Sequence, residues 1–265
     1  MSASDRISVP DSPWPSGFQS AVSLTFDDGV ASQLQHAVPL LNKYGLRGTF
    51  YINPEKDYRE RFAPWKEVAL AGHEIGNHTV GHPCSVNFAF TRQMCRCALE
   101  EMTLTEIETD ILEAGRRIHE LFPEQEATSF AYPCYESFVG RGENRQSYVP
   151  VVARHCVAGR AMGLRPNDPR FCDLSHLWST PCEYLAAPAL IGLAEQAAAL
   201  GHWLILTFHG INDGHLHVAY RDLEELCQFL ARQNQRIYTA PVAAVAKLVA
   251  PWQKAISGAL KKGAV

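Results

Sequence analysis

"SLTFDDG", Ser23 to Gly29, ends an apolar run on two adjacent carboxylates. Burying either charge without a partner costs several kcal/mol or shifts its pKa. The run reads as a strand. A doublet at its end lies where a parallel α/β sheet keeps its chemistry, beyond the C-terminal ends of the strands. Neighbouring strand residues point to opposite faces. Gly29 can turn the chain sharply enough to bring both carboxylates to one site. The plain alternative is a polar turn, since Asp-Asp-Gly suits one.

Outward from this strand, short β-rich runs alternate with helical patterns. "ASQLQHAVPLLNKYG" places Leu34, Val38 and Leu41 at helical spacing, and Gly45 stops it. Strands follow at 47–53 and 73–79, with a short helix over 64–72 between them. The clearest helix spans 103–122. Thr103 and Glu106 make a capping box, and Leu104, Ile107, Ile111, Ala114, Ile118 and Leu121 recur at three and four. Further strands are predicted at 127–133, 149–159, 202–210 and 236–240, with helices at 188–201, 222–234 and 241 to about 250; residues 160–186 read as irregular. Strands alternating with helices give a parallel sheet covered by helices. The count predicts an α/β fold, a distorted (β/α) barrel of about seven parallel strands. Residues 1–18 read as an N-terminal arm, 19–250 as one domain and 251–265 as a polar C-terminal tail.

The 265 residues carry a formal net charge of -4, with 46% hydrophobic and 20% charged residues. No basic surplus points to nucleic acid or an anionic membrane surface. No apolar stretch is long enough to span a membrane, and the N-terminus lacks the pattern of a signal peptide. The eight cysteines, 84, 95, 97, 134, 156, 172, 182 and 227, show no CxxC pairing. That pattern predicts free thiols in a reducing compartment, hence a cytoplasmic protein as the sequence stands, or a secreted one if a leader was removed. Cys95 and Cys97 in "MCRC" read as ordinary thiols rather than a metal site.

"HTVGH", His78 to His82, offers two imidazoles four residues apart, also after a strand. Alone the pair is a weak signal. With the carboxylate doublet it makes a set: Asp28, His78 and His82 as three ligands around one divalent ion, with a fourth position open. Two His and one carboxylate with an open position is the arrangement of hydrolytic zinc sites. Zn²⁺ fits best, with Co²⁺, Ni²⁺ or Mn²⁺ also compatible. Asp27 is then the candidate general base. His215 and His217 read as rim residues outside the ligand set.

Together these motifs resemble the polysaccharide deacetylase family, carbohydrate esterase family 4, whose catalytic domain is the NodB homology domain. "TFDDG" at 25–29 matches its first motif and "HTVGH" at 78–82 its second. "FAYPCYE" at 130–136 is the best match to the third, "CDLSHLW" at 172–178 a loose match to the fourth, and "ILTFH" at 205–209 matches the fifth. The resemblance implies Asp27 as base, Asp28 as ligand and His209 as general acid. It implies an oxyanion donor at the Cys134 N–H, or at Tyr135 if the register slips, with Pro133 and Trp178 also contacting substrate.

Three departures stand out. The third-motif Arg that orients the base in many members is Ala131 here, to be replaced by another cation such as one from "GRGENR" at 140–145, or by hydrogen bonds alone. The second Leu of the fifth motif, which lines the acetyl-methyl pocket, is Thr207, so that Trp178 could supply the wall. Asp173 and Trp178 are offset from the fourth motif. The resemblance implies a metal-dependent hydrolase that removes acetyl groups from carbohydrate of the N-acetylglucosamine type. Acetylxylan O-deacetylation on the same site, or a non-catalytic carbohydrate-binding relative, are the alternatives. A carbohydrate is the expected partner; the oligomeric state is left open.

Overall fold

The computed structural model describes residues 10–94 and 98–261. Its first strand, β1 (Ser20–Phe26), is buried at all seven positions. Val22, Leu24 and Phe26 join one apolar cluster with Leu40, Leu41 and Leu230. Ser23 and Thr25 alternate to the other side, where their hydroxyls donate to Ala240 O and Leu206 O, each at 2.8 Å. A strand buried on both faces belongs in a helix-covered parallel sheet.

Six more strands follow: β2 (Thr49–Ile52), β3 (Glu74–Asn77), β4 (Phe130–Ala131), β5 (Gly159–Met162), β6 (Leu177–Pro181) and β7 (Trp203–Phe208). They pair in chain order, all parallel, and β7 returns to β1 from Ala21↔Trp203 to Phe26↔Phe208. The seven-strand (β/α) barrel predicted from the strand–helix rhythm is thus present and closed. An eighth strand, β8 (Ile237–Thr239), shares the other edge of β1: it pairs Ser20–Val22, and β2 takes Thr25 and Phe26.

Around the barrel stand α1 (Val38–Lys43), α2 (Trp65–Leu70), α3 (Leu104–Leu121), α4 (Val149–His155), α5 (Ala187–Leu200), α6 (Tyr220–Arg232) and α7 (Val242–Lys261). In α3 the predicted capping box forms: the Glu106 N–H donates to Thr103 Oγ1 and the Thr103 N–H to the Glu106 carboxylate. Ile107, Ile111, Ala114, Ile118 and Leu121 are its buried face. Thr103→Ala should therefore lower stability by about 1 kcal/mol, read as a shifted urea midpoint with unchanged slope.

Three stretches differ from the sequence-based expectation. The β-branched run at 149–159 is helix up to His155. Pro150 suits the first turn, Arg154 and His155 suit the last, and Val151 and Val152 are buried. The "irregular" 160–186 contains most of β5 and all of β6. Both turn polar side chains inward, which hides the usual strand pattern. The last helix continues past 250 to Lys261, and the Trp252 indole N–H donates to Pro10 O at 2.7 Å. Residues 251–261 are therefore helix rather than loose tail. Cys95 and Cys97 lie outside the described residues.

Candidate active site

The site gathers on the C-terminal rim of the barrel. The Asp27 N–H extends the sheet by donating to Phe208 O at 2.9 Å, and its carboxylate points into the barrel, almost wholly buried. Asp28 and Gly29 then take left-handed backbone, φ 73° and 57°. This turn swings the half-exposed Asp28 carboxylate to the rim. A Cβ on Gly29 would lie 2.9 Å from Phe62 Cε1, so glycine is needed for space as well. Gln33, in the π turn Gln33–Ala37 that leads into α1, donates from Nε2 to both Asp27 O and His209 O. It ties the ends of β1 and β7 together, as such turns often do at functional sites.

His78 follows β3 directly. The loop after it is pinned by side chains. Asn53 donates to His78 O, Asn77 Oδ1 accepts from the Thr79 N–H, and Asp110 accepts from the N–H groups of Val80 and Gly81. His78 Nδ1 faces Ala131 O at 2.8 Å. A carbonyl only accepts, so Nδ1 carries the proton and Nε2 keeps its lone pair. Burial pushes the His78 pKa down to about 4, which keeps the ring neutral.

His78 Nε2 lies 3.2 Å from His82 Nε2, and Asp28 Oδ1 is 3.6 Å and 3.5 Å from the two. Tetrahedral bonds of about 2.0–2.1 Å put ligand atoms ~3.3–3.4 Å apart, so this triangle has the edge lengths of a zinc-sized site. With Nε2 of His78 unprotonated, the three groups could hold a cation between them. A second donor group, His82 with Cys84 and Cys134, has the spacing of a metal site as well. Its sulfurs, however, are joined as a disulfide and offer no thiolate. The expectation of unpaired cysteines fails here, because the barrel brings together residues fifty positions apart. Cys156, Cys172, Cys182 and Cys227 are free.

Asp27 has a partner that sequence reading missed. Arg160 on β5 donates from Nη2 to both Asp27 oxygens, at 2.5 and 2.6 Å, and from Nη1 to Thr207 Oγ1 at 3.1 Å. Its guanidinium lies over the Tyr51 ring, 5.0 Å from the centroid. Arg160 is the direct register partner of Ala131, so the cation comes from the adjacent strand at the same level of the barrel. It does not come from 140–145, where Arg141 pairs with Glu101 and Arg145 stacks on Phe138. Burial opposes ionisation of Asp27, but Arg160, helped by His78 and His209, outweighs it and holds the carboxyl below its ordinary range. Thr207 serves this network and bonds Ser179 at 2.9 Å.

His209 follows β7 and is mostly buried. Its Nε2 lies 3.9 Å from Asp27 Oδ2, and its Nδ1 lies 3.4 Å from Glu183 Oε1. Burial works against the charged ring, yet Glu183, Asp27 and Asp28 prevail and raise its pKa above the usual value. Glu183, two residues past β6, was also missed in the sequence. After β4, Cys134 and Tyr135 take left-handed backbone, φ 51° and 62°. The Tyr135 N–H donates to Tyr132 O at 2.9 Å, which leaves the Cys134 N–H as the available donor of the two. Pro133 is buried beside them.

Trp178 does not join the cluster. On β6, Ser179 points inward to Arg160 and Thr207, so Trp178 points outward and is 46% exposed. It lines a separate cavity of about 700 Å³ with Phe138, Phe171 and His176. The expected acetyl-pocket wall at Trp178 is therefore corrected. Asp173 caps the turn before β6 by accepting from the Ser175 N–H. His217 contacts the Tyr184 ring at the rim.

The fold is thus a closed barrel of parallel strands with helices around it, and it carries a two-His, one-Asp set on its C-terminal rim. Residues 17–137 match the family model described as Polysaccharide deacetylase, so this stretch carries that family's sequence pattern, as the motifs implied. A Bacillus subtilis (strain 168) protein, YxkH, named as a candidate polysaccharide deacetylase, is 36% identical over 67 residues. The match spans only 24% of this chain and 24% of that relative's length. Among solved structures, a candidate polysaccharide deacetylase from Mycobacterium smegmatis aligns with TM-score 0.60 at 16% identity, over 91% of this chain and 94% of its own. A family 4 acetyl xylan esterase from Clostridium thermocellum, in complex with a cobalt ion, aligns at 0.51 and 20%, covering 86% and 91%. The Bc1960 peptidoglycan N-acetylglucosamine deacetylase aligns at 0.51 and 17%, covering 87% and 89%. At these identities the likeness is one of fold. Among the described residues no helix is long and apolar enough to cross a membrane.

Proposed function

We propose that the protein is a metal-dependent deacetylase of carbohydrate, with Asp28, His78 and His82 holding one divalent ion, most consistently Zn²⁺. The observation that carries this reading is the placement of Asp27 Oδ2, which lies 3.9 Å both from His78 Nε2 and from His209 Nε2. One buried carboxylate oxygen thus stands between a candidate ligand and a candidate acid. When bound, such an ion acts as a Lewis acid on water and on a carbonyl. Asp27, ionised and oriented by Arg160, takes the proton of the attacking water. The Cys134 N–H donates to the carbonyl oxygen as it gains charge. His209, protonated and held by Glu183, delivers its proton from Nε2 to the leaving atom.

A nitrogen leaving group needs that proton more than an oxygen does, so a general acid placed at His209 suits an N-acetyl sugar. The non-catalytic reading rested on Ala131 and Thr207. Arg160 weakens it, since it stands beside the first and bonds the second. The internal disulfide favours an oxidising compartment.

The test is acetate release from N-acetylglucosamine oligomers and from acetylxylan, before and after chelation and metal return. Release from the oligomers, lost with chelator and regained with the ion, is expected. Release from acetylxylan alone moves the reading to ester hydrolysis, and release from neither ends it. Elemental analysis should find about one divalent ion per chain, lost in His82→Ala.

A further inference from the structure

The disulfide between Cys84 and Cys134 has no part in the chemistry above. We propose that it is a positioning strap, one that fixes the Cys134 N–H relative to His82. On the reading of the site just given, the oxyanion donor and the ligand loop are then spaced by covalent bonds as well as by packing. Cys84 is fully buried, two residues beyond His82, and its Sγ lies 3.6 Å from His82 Nδ1. The Cys84 carbonyl accepts from the Leu99 N–H at 3.1 Å, which anchors this end. The other end needs holding. Cys134 and Tyr135 are consecutive non-glycine residues in left-handed backbone, a conformation that persists only where the surroundings impose it. If Cys134 relaxed to ordinary backbone, its N–H would turn away from the rim. The bridge sets its Cα 5.7 Å from that of Cys84 and opposes that rotation. Oxyanion donors work only within a few tenths of an ångström of their place. A bridge at this position therefore bears on turnover as well as on folding.

The test opens the bridge in the whole protein. A water-soluble phosphine reduces it: phosphorus takes an oxygen from water and becomes phosphine oxide, the S–S bond breaks, and the two protons of that water complete two thiols. After desalting under inert gas, alkylation and mass spectrometry identify the opened pair, and circular dichroism reports the folded fraction. The expected result, per folded molecule, is a kcat lower by ~10²-fold with KM unchanged. Affinity for added Co²⁺ is read from its visible absorption in the Cys84→Ser/Cys134→Ser double variant, where no freed thiol can join His82 as a ligand; it should be ~10-fold weaker than in the oxidised protein. Reoxidation should restore kcat. The double variant should turn over like the reduced protein, and its kcat should ignore the phosphine. An unchanged kcat in reduced, folded protein together with unchanged Co²⁺ affinity in the double variant would overturn the proposal, and so would a rise in KM alone. If oxidised protein releases acetate from no substrate, the functional reading fails. The strap is then judged on Co²⁺ affinity, and equal affinity in the oxidised protein and the double variant overturns it.

Discussion

Replacing Arg160 with Met should destabilise the protein by about 3–5 kcal/mol, and Asp27→Leu should do nearly the same. Each leaves a buried charge without its partner, since both side chains are almost wholly enclosed and bonded twice to one another. The double variant should be closer to wild type than either single one, because it removes both charges at once. Urea unfolding of the four proteins measures the coupling. Additive losses would show that the pair is not the unit described here. The sign with pH is fixed. The Asp27 carboxyl titrates below its ordinary 3.8, so the contribution of the pair is complete above that value. It fades as pH falls through the lowered folded value. In Arg160→Met the burial penalty on Asp27 is opposed only by the weaker pull of His78 and His209. The acid limb of the rate profile should then move to higher pH, while the double variant, without its base, should be inactive.

Loss of His209 is the second large effect. His209→Ala should lower kcat by about 10²–10⁴-fold on an N-acetyl substrate. Loss of the side chain leaves Asp28, His78 and His82 in place, so the bound ion should remain, as elemental analysis would record. In the proposed mechanism the protonated ring is the active form. Activity should persist below its folded pKa and fall as pH rises through it, and that pKa is raised above the usual 6.5. Glu183→Gln removes the first of the groups that raise it. The alkaline limb should therefore shift to lower pH with the acid limb unmoved. An unmoved alkaline limb would remove Glu183 from its proposed partnership and would point to another group as the acid.

What the sequence made legible was whatever sits next to a strongly apolar strand. Asp27, Asp28 and His209 follow β1 and β7, whose buried runs are unmistakable, and His78 and His82 share one short motif. The residues that complete the cluster come from strands whose inward positions are polar. Arg160 and Ser179 occupy places where a barrel interior usually shows Val or Ile, so β5 and β6 lost their periodic signature. Glu183 was lost with them. The run "VPVV" carries β-branched residues that favour a strand, but Pro150 and the packing of Val151 and Val152 made it a helix. Arg160 answers the missing cation at Ala131 through pairing between strands, a relation that no spacing within one segment displays. The Cys84–Cys134 bond was hidden for the same reason.

The divided edge of β1 has a consequence for how the chain is made. Its C-terminal half finds β2 within some thirty residues, but its N-terminal half is completed only by β8 and its whole other edge by β7. Ala243, at the start of α7, also donates to Glu74 at 2.9 Å beneath the barrel. On a ribosome, β1 would wait for the last strands of the barrel before its backbone is fully paired. Such long-range pairing is slow and leaves apolar edges open in the meantime. For this protein the hazardous interval is therefore synthesis itself, when a nascent chain carries a finished β1 with no neighbour to shield it.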